Sequence, residues 1–172
     1  MSRTVPRLIV LSGLAGSGKS TIADGIGQAL GIPVLSVDPI ESAILEAGTP
    51  RSFETGLAAY LVARAMADRH LGARLGVVID AANYANEGRE LWRALAIRHR
   101  VPMVVLEVKV ADQARHLARL EIRNRGLALP EPTATDIARQ RDEWIEWPEP
   151  HLVLDGLASA DENLRQALAY LG

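Results

Sequence analysis

The chain has 172 residues, 48% hydrophobic and 23% charged, enough for one folded domain with a substantial core. A formal charge of -2 gives no general attraction for nucleic acid, and the absence of cysteine excludes disulfides, thiolate catalysis and cysteine-based zinc sites. No apolar run approaches the roughly 18–20 residues a bilayer requires, and Met1 to Arg7 shows no signal-peptide pattern, so the expected location is cytoplasmic.

Apolar runs alternate with longer helix-like stretches, the pattern of an α/β fold with a mainly parallel sheet. Arg7–Ser12 reads as the first strand. Gly13-Leu14-Ala15-Gly16-Ser17-Gly18-Lys19-Ser20 follows, then a helix from Lys19 to about Leu30 that Gly31 closes. Strand, glycine-rich turn and helix in that order are the context that G-x-x-x-x-G-K-[ST] requires. Glycines let successive backbone N–H groups turn inward around an anion, and the helix behind adds its unpaired N–H groups and the positive end of its dipole. Residues 13–21, ending at Thr21, are therefore expected to hold a nucleoside triphosphate, with Lys19 reaching the β- and γ-phosphates and the Ser20 hydroxyl on Mg²⁺.

The second strand is expected at Pro33–Val37, ending at Asp38, and the third at Gly76–Ile79, ending at Asp80. Between them lies a helical insertion, about 39–74, which Thr49-Pro50 splits into a short helix near Ile40–Ala47 and a longer one from about Ser52 to His70. Pro102–Val110 and His151–Leu154 complete five strands. The region from Ala111 to Trp147 reads as helical, with a helix from Asp112 to about Asn124 and a second capped by Thr133 or Thr135. Arg125-Gly126 and Leu129-Pro130-Glu131-Pro132 interrupt it, so the segment about 119–133 resembles a lid. The last helix runs from about Ser159 to Leu171, and nothing divides the chain, so 1–172 is read as one domain.

Ligands of open parallel sheets bind beyond the carboxyl ends of the strands, which places Asp38 and Asp80 at the nucleotide crevice. Asp38 suits a general base that accepts the proton of an attacking hydroxyl, and Asp38-Pro39 is also a good helix start, a role compatible with the first. Asp80 suits the Mg²⁺ shell, or a strand-end cap. Arg115, Arg119 and Arg123 recur every four residues on one helix face; Arg119 and Arg123 run into the lid and suit phosphate contacts, while Arg115 reads as surface. A solvated basic face paired with Glu121 is the alternative. Asn83, Tyr84 and Arg89, and in the insertion Arg51, Tyr60 and Arg64, are weaker substrate-facing candidates. Trp144 and Trp147, three apart, suit flanking a base or substrate ring but read better as helix anchors on the core, and the four histidines show no metal-ligand spacing.

With those residues placed, the chain resembles the small P-loop kinases, in the branch of chloramphenicol phosphotransferase, polynucleotide kinase, zeta toxins, and gluconate and adenylylsulfate kinases, an AAA-type ATP-binding group. The resemblance implies a three-layer α/β/α sandwich with a five-stranded parallel sheet in the order 2-3-1-4-5 and a helical lid. It implies ATP- and Mg²⁺-dependent transfer of the γ-phosphoryl group to a hydroxyl of a small molecule. Lys19 would stabilise the transferring phosphate, Ser20 bind Mg²⁺, Asp38 act as the base, and Arg119 and Arg123 serve as lid arginines. Several relatives carry an arginine shortly after the strand-two aspartate. Here Pro39-Ile40-Glu41 follows, so acceptor recognition does not carry over. The rival readings are a 5′-hydroxyl polynucleotide kinase and a nucleotide-binding switch or slow ATPase read by a protein partner.

Overall fold

The computed structural model describes residues 5–172, so residues 1–4 of the expected lead Met1–Arg7 lie outside the described residues. Five strands, β1 (Leu8–Ser12), β2 (Val34–Ser36), β3 (Val77–Asp80), β4 (Met103–Lys109) and β5 (His151–Asp155), form one sheet in the order β2-β3-β1-β4-β5. Every pairing is parallel. All five residues of β1 are buried, as a central strand covered on both faces must be, which is why Leu8-Ile9-Val10-Leu11 is continuously apolar rather than alternating.

The pleat divides those side chains between two cores. Ile9, Leu11, Val78 and Leu106 pack under α1 (Lys19–Leu30) and α7 (Ala160–Leu171), against Ile22, Ile26 and Ala167. Leu8, Val10, Ile79 and Val105 face α3 (Phe53–Gly72) and α4 (Asn86–His99), against Ala59, Ala63 and Trp92. Each fully buried aliphatic side chain contributes about 1.5–3 kcal/mol, so the doubly covered strands hold the sheet and fix which ends face the loops.

Three helices sit at the carboxyl edge: α2 (Val37–Glu46), α5 (Gln113–Glu121) and α6 (Ala134–Asp142). Their starts follow local chemistry. The Asp112 carboxylate accepts from the Arg115 N–H at 3.0 Å, and Thr133 forms a reciprocal capping box with Asp136. Ser52 and Thr55 make the same box at α3.

Boundaries differ from expectation at three functional places. β2 stops at Ser36, so Asp38 lies in the first turn of α2 rather than at a strand end, with Pro39 next inside the helix where its missing N–H costs nothing. α5 stops at Glu121, short of Asn124, so Arg123 leaves the helical face it was expected to share with Arg115 and Arg119. α6 stops at Asp142, so Trp144 and Trp147 anchor the chain after a helix, not on one.

Candidate active site

The turn after β1 is shaped by close contacts. Gly13 sits at φ 152°, where an added Cβ would stand 2.6 Å from the Val108 carbonyl oxygen, and its N–H donates to the Ala82 oxygen at 3.1 Å. From there the chain wraps a cavity of about 310 Å³ lined by Gly16, Gly18, Lys19, Ser20 and Thr21, with Arg119 and Arg123 closing it. Three cations and the amino end of α1 around one cavity make an anion site. Leu14 and Gly13 hold the turn rather than line the cavity, and the Ser17 hydroxyl is buried without a hydrogen-bond partner.

α5 secures this turn from outside. The buried His116 ring donates from Nε2 to the Ala15 oxygen at 2.7 Å and accepts at Nδ1 from Arg141 at 3.3 Å, a neutral tautomer assigned from its partners. Burial lowers its pKa, the Ala15 contact opposes this, and Arg141, Arg119 and Lys19 lower it further. The Arg119 guanidinium also donates to the Gly156 oxygen, joining the cradle to the loop after β5.

A second cavity of about 560 Å³ opens on the other side of Lys19, which lines both. Asp38, Glu41, Tyr60 and Tyr84 face it, with Arg51 and Phe53 at the start of α3 and Arg125 from the lid segment. Burial opposes the Asp38 charge, but Lys19, then Arg125 and Arg123, outweigh it and hold the carboxyl below the ordinary carboxylate range. Arg125 donates to Asp38 Oδ2 and, through Nε, to Glu131 at 2.8 Å. Glu41, one turn along α2, is shifted upward by burial against the pull of Arg51. An ionised carboxylate here can accept a hydrogen bond from a hydroxyl at neutral pH.

Asp80 ends β3 and is 5% exposed. Its Oδ2 accepts from the Ser36 hydroxyl at 2.9 Å, while Oδ1 is buried with no partner. That orphaned oxygen and the Ser20 hydroxyl fit Mg²⁺, which takes one or two protein oxygens and completes its shell with water and phosphate. Among the described residues no group of three or more His, Cys, Asp or Glu is arranged to hold a metal by itself.

The weaker candidates separate. Arg51, Tyr60 and Tyr84 line the large cavity, whereas Arg64 is exposed and does not. Asn83 and Arg89 are buried and structural: Asn83 Nδ2 donates to the Leu11 oxygen at 2.8 Å, and Arg89 Nε to the Asn83 oxygen at 2.7 Å. Arg89 lies 4.2 Å from the centroid of the Trp147 ring, which is itself 5% exposed, so Trp147 belongs to the core. Arg115 is on the surface, as expected. Missed from the sequence were Arg125, read only as part of the Arg125-Gly126 break in the helical region, and Gly156, for which no motif exists.

The chain matches the family model described as an AAA domain over residues 8–144. Among curated proteins none matches. Among solved structures, a sugar kinase from Janibacter sp. HTCC2649 is similar at a TM-score of 0.71 and 22% identity, covering 96% of this chain and 94% of that one. The APS kinase CysC of Mycobacterium tuberculosis, in complex with AMPPNP and APS, is similar at 0.71 and 21%, covering 96% and 97%. Kti12 of Chaetomium thermophilum, in complex with ADP-AlF3, is similar at 0.69 and 22%, covering 96% and 99%. At these identities the likeness concerns the fold, which is that of the P-loop kinases.

Proposed function

The chain belongs to the AAA domain family, and on that premise we propose that it is a kinase moving the γ-phosphoryl group of ATP to a hydroxyl of a small molecule. The observation that carries this reading is that Lys19 lines two adjoining cavities, one walled by the phosphate-binding turn with Arg119 and Arg123, the other by Asp38. A phosphoryl donor and an acceptor bound in these two cavities would be neighbours across one ammonium, which supports a transfer between them.

In the reaction, the acceptor oxygen attacks the γ-phosphorus, its O–H proton passes to Asp38, and the bond to the β-phosphate oxygen breaks to release ADP. Lys19, Arg119 and Arg123 offset the charge on the transferring group. Mg²⁺, when bound by Ser20 and Asp80 through its shell, supplies further neutralisation of the β- and γ-oxygens. In this reading residues 1–172 act as one domain, with 39–74 on the acceptor side and 119–133 as the lid. ATP as donor implies a cytoplasmic setting. No described helix is long and apolar enough to cross a membrane.

A different class, a nucleotide-dependent switch read by a protein, draws support from the exposed Leu57, Leu61, Val62 and Met66 on α3. The deciding experiment is ATP consumption with Mg²⁺ against sugars, nucleosides, hydroxylated antibiotics and a 5′-hydroxyl oligonucleotide, with phosphorus NMR of the product. A phosphorylated small molecule is expected. Phosphorylation of the oligonucleotide alone replaces the acceptor class, and hydrolysis unaltered by every acceptor overturns the kinase reading in favour of the switch.

A further inference from the structure

Glu131 occupies an unusual place between the two cavities. Its Oε1 accepts from Arg125 Nε at 2.8 Å and its Oε2 from Arg123 Nη1 at 3.2 Å. Arg123 lines the phosphate cavity, while Arg125 lines the acceptor cavity and also donates to Asp38. The order Arg123, Glu131, Arg125, Asp38 is thus one continuous chain of charge-assisted hydrogen bonds running from the phosphate site to the carboxylate of the acceptor site. All four side chains are only partly exposed, so the pairs are less screened than surface ones. Both arginines sit in the irregular stretch after α5, which can shift without breaking a helix.

Two carboxylates share two guanidinium groups here, so the charges are balanced only while no other anion is present. Phosphate oxygens entering the small cavity compete with Glu131 for Arg123. Once Arg123 is drawn to phosphate, Glu131 is left with Arg125 alone, and its undivided charge competes with Asp38 for that guanidinium.

We propose that Glu131 is a positioning residue that divides the two arginines between the sites, and that nucleotide binding, by taking Arg123, moves Arg125 toward Glu131 and loosens it from Asp38. Asp38 is then free to receive the acceptor hydroxyl only after the donor is in place, which limits wasteful hydrolysis. The value of the handover to catalysis rests on the reading of Asp38 as the base; the handover itself does not. The groups facing Asp38 are Lys19 of α1, Arg123 and Arg125 of the lid segment, Glu41 of α2 and Tyr60 of α3. Of these, only the two arginines are held by Glu131.

The test compares wild type with Glu131→Gln, using AMPPNP and Mg²⁺ as the probe. Calorimetry should show the variant binding AMPPNP about threefold to fivefold more tightly, because Arg123 no longer has to leave a carboxylate of ion-pair strength. Carbon NMR of the Asp38 carboxyl should show it titrating at lower pH in the unliganded variant than in wild type. The upward shift that AMPPNP induces should be smaller in the variant, and Glu131→Asp should restore part of it. General damage to the fold would instead weaken nucleotide binding. Unchanged or weaker AMPPNP affinity, or an equal nucleotide-induced shift in both proteins, overturns the proposal. If Glu131→Gln does not fold, exchange of the Arg125 Nε–H with water in wild type decides: slower exchange with AMPPNP supports the handover, and unchanged or faster exchange overturns it. Full transfer activity in Asp38→Asn would overturn the base reading while leaving these differences in place, so the two failures are distinguishable.

Discussion

The indole N–H of Trp92 donates to Asn83 Oδ1 at 2.9 Å, and both side chains are buried. Through the same amide, Asn83 Nδ2 holds the Leu11 oxygen at the end of the central strand, while its backbone takes a left-handed φ of 51°. α4 is thereby bonded to the carboxyl end of β1, from which the phosphate-binding turn departs, and to the loop after β3. Trp92→Phe keeps most of the volume and removes the donor. It should destabilise the protein by about 1–3 kcal/mol in urea unfolding, the cost of a buried carbonyl left unpaired.

Asp38 and Lys19 are separable in kinetics. Asp38→Asn should lower kcat for transfer by about 10²–10⁴-fold while AMPPNP still binds, since the amide keeps the shape but takes no proton. Lys19→Ala should weaken AMPPNP binding and lower turnover together, because Lys19 faces both cavities. Steady-state kinetics with calorimetry of each variant checks the split.

Gly156 is a test of packing between loops. A Cβ there would lie 2.5 Å from the Ser17 oxygen and 2.7 Å from a Val110 methyl, and the Gly156 oxygen accepts from Arg119. Gly156→Ala should cost about 1–3 kcal/mol of stability, the range for overpacking, and should also weaken AMPPNP binding because the displaced atoms belong to the cradle. Thermal unfolding with and without AMPPNP measures both.

His116 makes stability depend on pH. Its folded pKa lies below the unfolded value, so in the interval between them the unfolded chain binds the extra proton and stability falls as pH falls. Between about pH 7.5 and about pH 5.5 the wild type should lose more melting temperature than His116→Gln, the slope from this group being at most about 1.4 kcal/mol per pH unit. Equal losses in the two proteins would show that His116 is not the group responsible.

The phosphate-binding turn and the five strands were legible because each depends on local pattern, whereas the strand order came only from the resemblance to the small P-loop kinases. Gly13 to Ser20 is contiguous, the strands are apolar runs, and Thr133 caps its helix through a residue three positions on. Boundaries were harder: at Ser36–Asp38 strand and helix-start signals overlap, and the chain took the helix. Asn83 and Arg89 read as candidates to face a substrate and are instead buried, with Arg89 donating to the Asn83 oxygen, a difference that composition and periodicity do not carry.

The local signals thus committed this chain to an anion-binding turn on an α/β sheet. They did not say that Arg125 would reach Asp38, 87 residues away, or that Glu131 would stand between two arginines. Helix and strand periods arise from backbone geometry within a few residues, so they are written into every short stretch. Contacts between distant segments depend on how whole helices pack and on which carboxylate a long side chain meets across a loop. Only the assembled chain sets those distances.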